Sequence, residues 1–106
     1  MLNELKKELR EFENPEKAKV LRRFFKTGKG QYGEGDIFLG IQVPIQRQIA
    51  KKYFDLNFQE IQELLNSKIH EERSTALIIL TNQYKKSKKD NFTKRQIFEF
   101  YIKNVN

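Results

Sequence analysis

Ala76-Leu77-Ile78-Ile79-Leu80 is the stretch on which the reading of this chain turns. It sits midway between Ser67 and Ser87, in a segment with neither glycine nor proline. Without a breaker, the segment predicts one long helix over about 67–87, with Ser67 as its N-terminal cap. Five successive apolar residues leave a helix apolar on most of its sides, so neighbouring elements are expected to cover it nearly all round. A helix of that kind is the centre of an all-α domain, and the flanking sequence supplies its partners.

Upstream, Leu2, Leu5, Leu9 and Phe12 recur at helical spacing. Asn14-Pro15 then provides a cap and a first-turn proline, because asparagine accepts from orphan N–H groups and proline has none to lose. Ala18, Leu21, Phe24 and Phe25 form the expected inner face of the second helix. Pro44 opens a third, carrying Ile45, Ile49 and Tyr53. Asn57 with Glu60 three residues on reads as a capping box for a fourth, continued by Phe58, Ile61, Leu64 and Leu65. Downstream of the long helix, Asp90 or Asn91 caps a sixth, whose Ile97, Phe98, Phe100, Tyr101 and Ile102 make a broad apolar face. Either that face packs inward on the long helix, or it awaits another layer, such as a second copy of the chain. The segment from Ile37 to Val43 has β-propensity but no evident partner strand, and is expected to be an extended, partly buried loop.

Composition narrows the function. The chain has 106 residues, the size of one domain spanning 1–106. It has no cysteine and a single histidine, which removes disulfides, thiolate zinc sites and cysteine nucleophiles, and no metal or cofactor is expected. No apolar run approaches the ~20 residues of a bilayer span, and no signal peptide precedes the first helix, so a cytoplasmic protein is expected. The formal net charge is +7. Twelve cations face seven carboxylates in residues 1–53, against nine and seven in residues 54–106. That excess favours a polyanionic partner.

All five glycines fall between residues 28 and 40. Gly28-Lys29-Gly30-Gln31-Tyr32-Gly33 has the spacing of a dinucleotide fingerprint, but a helix precedes it and Glu34 and Asp36 follow it, so that reading fails. Two readings of Lys26-Thr27-Gly28-Lys29-Gly30-Gln31-Tyr32 stay open: a loop close to a phosphate backbone, or a helix end with a solvated turn. Arg22-Arg23 and the pair Arg47 and Lys51, one turn apart, with Lys52, are placed to line one side of a helical array. Lys85, Lys86, Lys88 and Lys89 read as a cationic cap on the negative end of the long helix. Glu71 and Glu72 are neighbours pointing to different sides of a helix, a poor acid–base pair.

One set of segments is more specific than its composition. Phe24-Phe25-Lys26-Thr27-Gly28-Lys29-Gly30-Gln31-Tyr32-Gly33-Glu34-Gly35-Asp36, followed by Phe38-Leu39-Gly40-Ile41-Gln42-Val43-Pro44 with Arg47, resembles the AlkD-type DNA alkylation repair family. Ile69-His70-Glu71-Glu72-Arg73 with Gln83-Tyr84, and Ile97-Phe98-Glu99-Phe100-Tyr101 with Asn104, continue the resemblance over most of the chain.

The resemblance implies an α-α superhelix of HEAT-like hairpins, about six helices with one long glycine-rich loop, whose basic concave face holds duplex DNA. It implies a base-excision activity, glycosylase release of N3- or N7-alkylated purines. In the family a tryptophan and an aspartate, in a W-D-x-V-D-like segment, follow the helix that here reaches Asn104. This chain has no tryptophan, and Asp36, Asp55 and Asp90 do not match that motif. The resemblance therefore implies the N-terminal half, with no catalytic residue in this chain. Gln42 matches a position facing the DNA groove, Arg47 a basic position near it, and Lys26, Lys29 and Tyr32 belong to the matching loop.

Overall fold

The computed structural model describes residues 1–24, 35–87 and 91–104. Their regular structure is six helices: α1 (Leu2–Glu11), α2 (Pro15–Phe24), α3 (Val43–Lys52), α4 (Phe58–Leu65), α5 (His70–Lys86) and α6 (Asn91–Asn104). The protein is an all-α array of helical hairpins. Its centre is α5, which packs against α1, α3, α4 and α6. Leu5, Leu9, Ile49, Ala50, Ile61, Leu64, Ala76, Ile79, Leu80 and Ile97 are all buried in one cluster between these elements.

The local signals for α2, α3 and α4 act as their chemistry requires. Asn14 Oδ1 accepts from the Lys17 amide at 3.1 Å, and Pro15 is the first helical residue of α2. Pro44 lies in the first turn of α3. The capping box of α4 is complete: Asn57 Oδ1 accepts from the Glu60 amide at 2.8 Å, and Glu60 Oε1 accepts from the Asn57 amide at 3.1 Å.

Three expectations are corrected. Helix α5 starts at His70, not at Ser67, and its N-cap residue Ile69 offers no side-chain cap. Ser67 Oγ instead accepts from the Ile69 amide at 3.0 Å, closing a local turn in competition with the helix. Leu77 is 44% exposed, so among the described residues α5 is not covered all round. Phe24 and Phe12 also lie outside the core, at 76% and 45% exposure. The broad face of α6 is divided. Ile97 is buried and Phe100 stacks on Phe58 with ring centroids 4.7 Å apart, whereas Phe98, Tyr101 and Ile102 are exposed.

The segment from Ile37 to Gln42, ahead of α3, lies outside the helices, as expected, and does find a partner. Ile37 forms an isolated parallel bridge with Ile69: its amide donates to the Lys68 carbonyl at 2.9 Å, and its carbonyl accepts from the His70 amide at 2.8 Å. Phe38, Leu39 and Ile41 are buried. This segment fixes where α3 begins, and so where the candidate site lies.

Candidate nucleic-acid interface

A carboxylate organises the turn that leads into α3. Glu71, in the first turn of α5, is fully buried. Its Oε1 accepts from the Leu39 amide at 2.9 Å, and its Oε2 from the amides of Gly40 and Ile41 at 3.0 and 3.3 Å. Three successive backbone donors that no helix or sheet would satisfy are thus satisfied by one side chain. The carbonyls of the same turn are held as well. Leu39 accepts from the Asn14 amide at 2.7 Å and Ile41 from Gln46 Nε2 at 2.9 Å. Outside this turn, Arg73 donates to Asp36 at 3.0 Å and to the Ser67 carbonyl at 2.8 Å.

Gln42 follows directly. It is the exposed N-cap residue of α3, in extended conformation, and its carbonyl accepts from the amides of Ile45 and Gln46. It lines an open cleft of about 570 Å³ together with Glu16, Lys17 and Val20 of α2 and His70 of α5. One turn further on, Arg47 lines a groove of about 650 Å³ between α3 and α5 with Lys51, Asn82 and Lys85. Val43 and Ser74 line both depressions, so the two form one continuous surface.

Among the described residues no ion pair engages Arg47, Lys51 or Lys85. Among the described residues no carboxylate lines the α3–α5 groove. Three uncompensated cations on one depression make a local positive potential. The spacing that produces it is regular: positions 43, 47 and 51 on α3 face 74, 78, 81 and 85 on α5, each stripe advancing about one turn at a time.

The structure therefore brings together Gln42 and Arg47 from the sequence-predicted set. Lys26, Lys29 and Tyr32 lie outside the described residues, as does the glycine fingerprint at 28–33. Lys85 was read as part of a helix cap, and it does lie in the last turn of α5, but it also lines the groove. Its neighbour Lys86 turns away and sits 4.8 Å from the Phe54 ring centroid. The regular stripe on α5 was a signal for Lys85. No comparable signal marked Glu71, whose partners are backbone amides about 30 positions away. Among the described residues no three His, Cys, Asp or Glu side chains gather as a metal site would need. None of the described helices is long and apolar enough to cross a membrane.

The profile of the DNA alkylation repair enzyme family matches residues 5–106. The chain belongs to the DNA alkylation repair enzyme family. No curated protein and no solved structure gives a match. Of the two glycine-containing segments that carry the resemblance, the second contains the Glu71-held turn and Gln42, and residues 25–34 of the first lie outside the described residues.

His70 borders the same cleft and stacks on Phe38 with ring centroids 4.7 Å apart. Burial lowers its pKa below the usual 6.5, and Arg73 acts in the same direction, while Glu71 and Asp36 oppose both. The folded protein thus binds this proton less readily than the unfolded chain. The stabilisation is complete above about pH 6.5 and is lost progressively as pH falls below it. Urea midpoints are expected to drop between pH 7.5 and pH 5, and to drop less in His70→Gln. Equal drops in both proteins would exclude His70 as the source.

Proposed function

We propose that this chain contributes duplex-DNA binding to alkylation repair, with the α3–α5 groove laid on the phosphate backbone. The observation that carries this reading is the convergence of Arg47, Lys51 and Lys85 on one groove whose described lining holds no carboxylate. Cations of that kind neutralise phosphates and fix register, whereas a side-chain amide such as that of Gln42 is suited to a base edge.

The family activity that the resemblance implies, hydrolytic release of N3- or N7-alkylated purines, develops positive charge on the sugar and calls for a carboxylate beside it. Here Glu71 is fully engaged by backbone amides and Asp36 by Arg73. We therefore propose that this chain binds DNA and releases no base on its own.

Fluorescence anisotropy with duplexes containing or lacking N7-methylguanine, across a salt series, tests the binding. Each phosphate neutralised adds about 0.9 to the slope of log K against log salt. The triple variant R47A/K51A/K85A is expected to lose a slope of about 3 and to bind at least about tenfold more weakly at low salt. Binding indifferent to salt would remove this reading. Chromatographic detection of released methylpurine would overturn the proposed inactivity.

A second reading is self-association through the α6 face. Phe98, Tyr101 and Ile102 are 54%, 44% and 53% exposed, beside an apolar groove of about 310 Å³ between α5 and α6. A face of that kind suits burial against a second copy. Sedimentation velocity at micromolar concentration is expected to show a dimer that Phe98→Glu dissociates. A single monomer boundary throughout that range excludes it.

A further inference from the structure

We infer that Glu71 is a positioning residue for Gln42, holding it at the nucleic-acid interface through the 39–41 turn. The inference rests on the reading that Gln42 and the groove beside it face DNA. Glu71 is 0% exposed, lying at the floor of the cleft that Gln42 lines, and both its carboxylate oxygens are taken up by backbone amides. Any effect it has on binding must pass through what it holds.

What it holds is the backbone immediately before Gln42. Its oxygens lie 2.9, 3.0 and 3.3 Å from three consecutive amide nitrogens, ending at Ile41. The Ile41 carbonyl is fixed from the other side by Gln46 Nε2, and Gln46 is itself 2% exposed. Gly40, in the middle, has a φ of +83° and so sets a sharp change of direction. Gln42 therefore has both flanks fixed, by Glu71 on the upstream side and by α3 downstream, while its own side chain stays exposed.

A buried carboxylate is a costly way to close a turn if stability alone is served, because a well-packed apolar arrangement is often at least as stable. Its distinctive property is directional. A two-oxygen acceptor orders several N–H groups in one geometry, as a supporting shell must when it fixes a binding group to within about 0.5 Å.

The test is a double-mutant cycle on duplex affinity, with wild type, E71Q, Q42A and E71Q/Q42A compared at a temperature where each is fully folded by circular dichroism. Q42A is expected to weaken binding about fivefold or more, E71Q by a similar factor, and the double variant by no more than either alone. The salt slope should be the same in all four, because the groove cations are untouched. A purely structural role for Glu71 predicts multiplicative losses in the double variant, which would overturn the inference, as would wild-type affinity in E71Q. If E71Q does not fold, E71D, which keeps the carboxylate and shortens its reach by one methylene, enters the same cycle with the same expectation. A silent Q42A alongside a weakened R47A/K51A/K85A would overturn the positioning role and leave the groove reading intact. Silence in both would overturn the two together.

Discussion

Glu71→Ala is expected to destabilise the protein by on the order of 4 kcal/mol, among the largest effects any single substitution here produces. The fully buried carboxylate accepts from the amides of Leu39, Gly40 and Ile41. Alanine removes all three acceptor contacts and leaves the donors facing a cavity. A hydrogen bond to a charged group is worth about 1.5–3 kcal/mol, and an orphaned buried donor costs about 1–3 kcal/mol. The three donors lie in one turn, so their losses overlap and do not simply add. Domains of this size have about 5–15 kcal/mol to lose.

Chemical denaturation reads the result, and Glu71→Gln calibrates it. Glutamine keeps the shape and one carbonyl oxygen but brings an NH₂ group to face a backbone donor. It should fall between wild type and alanine. Should Glu71→Ala unfold at the wild-type denaturant midpoint, the turn would be held by packing alone and the account of how α3 is placed would be wrong.

The reason Glu71 escaped a reading of the sequence also explains which parts of the fold did not. Helix signals are local. Asn14-Pro15, Pro44 and the Asn57/Glu60 box each act within four residues: the two asparagines cap α2 and α4, and Pro44 sits in the first turn of α3. Errors arose where a second local option competed. Ser67 had the right chemistry for a cap but closes a turn on Ile69, and the N-cap of α5 falls two residues later, at Ile69. Leu77 stands among five apolar residues in a row, yet among the described residues no element buries it, and it lines the cationic groove instead.

Long-range pairings leave no periodic trace. The hold of Glu71 on Leu39, Gly40 and Ile41, the bridge of Ile37 to Ile69 and the ion pair of Arg73 with Asp36 all span about 30 or more positions. Each uses backbone groups or a lone charge, which composition and spacing cannot mark. Half of the interface was nonetheless visible. Arg47 and Lys51 stood out as a pair one turn apart, and only their convergence with Lys85 required coordinates.

Gly40→Ala is expected to rival the loss of Glu71, and Gly35→Ala separates its two causes. Both glycines sit at positive φ, +85° for Gly35 and +83° for Gly40. An L-residue in that region costs about 1–2 kcal/mol from its own backbone clash. At Gly35 a Cβ meets nothing within 4 Å, so Gly35→Ala should cost that amount and no more. At Gly40 the added carbon would overlap the Asn14 carbonyl oxygen and lie 2.7 Å from the Ala18 amide nitrogen. Both are backbone atoms at the start of α2, and neither can turn aside as a side chain would. Accommodation would push α2 away from the turn, breaking the bond between the Asn14 amide and the Leu39 carbonyl or displacing the amides held by Glu71. Gly40→Ala is therefore expected to cost on the order of 4 kcal/mol, against about 1–2 kcal/mol for Gly35→Ala, as measured by urea denaturation of the two variants in parallel. Equal losses at the two sites would mean that φ alone sets the requirement for glycine at residue 40, and that α2 does not press on the turn ahead of α3.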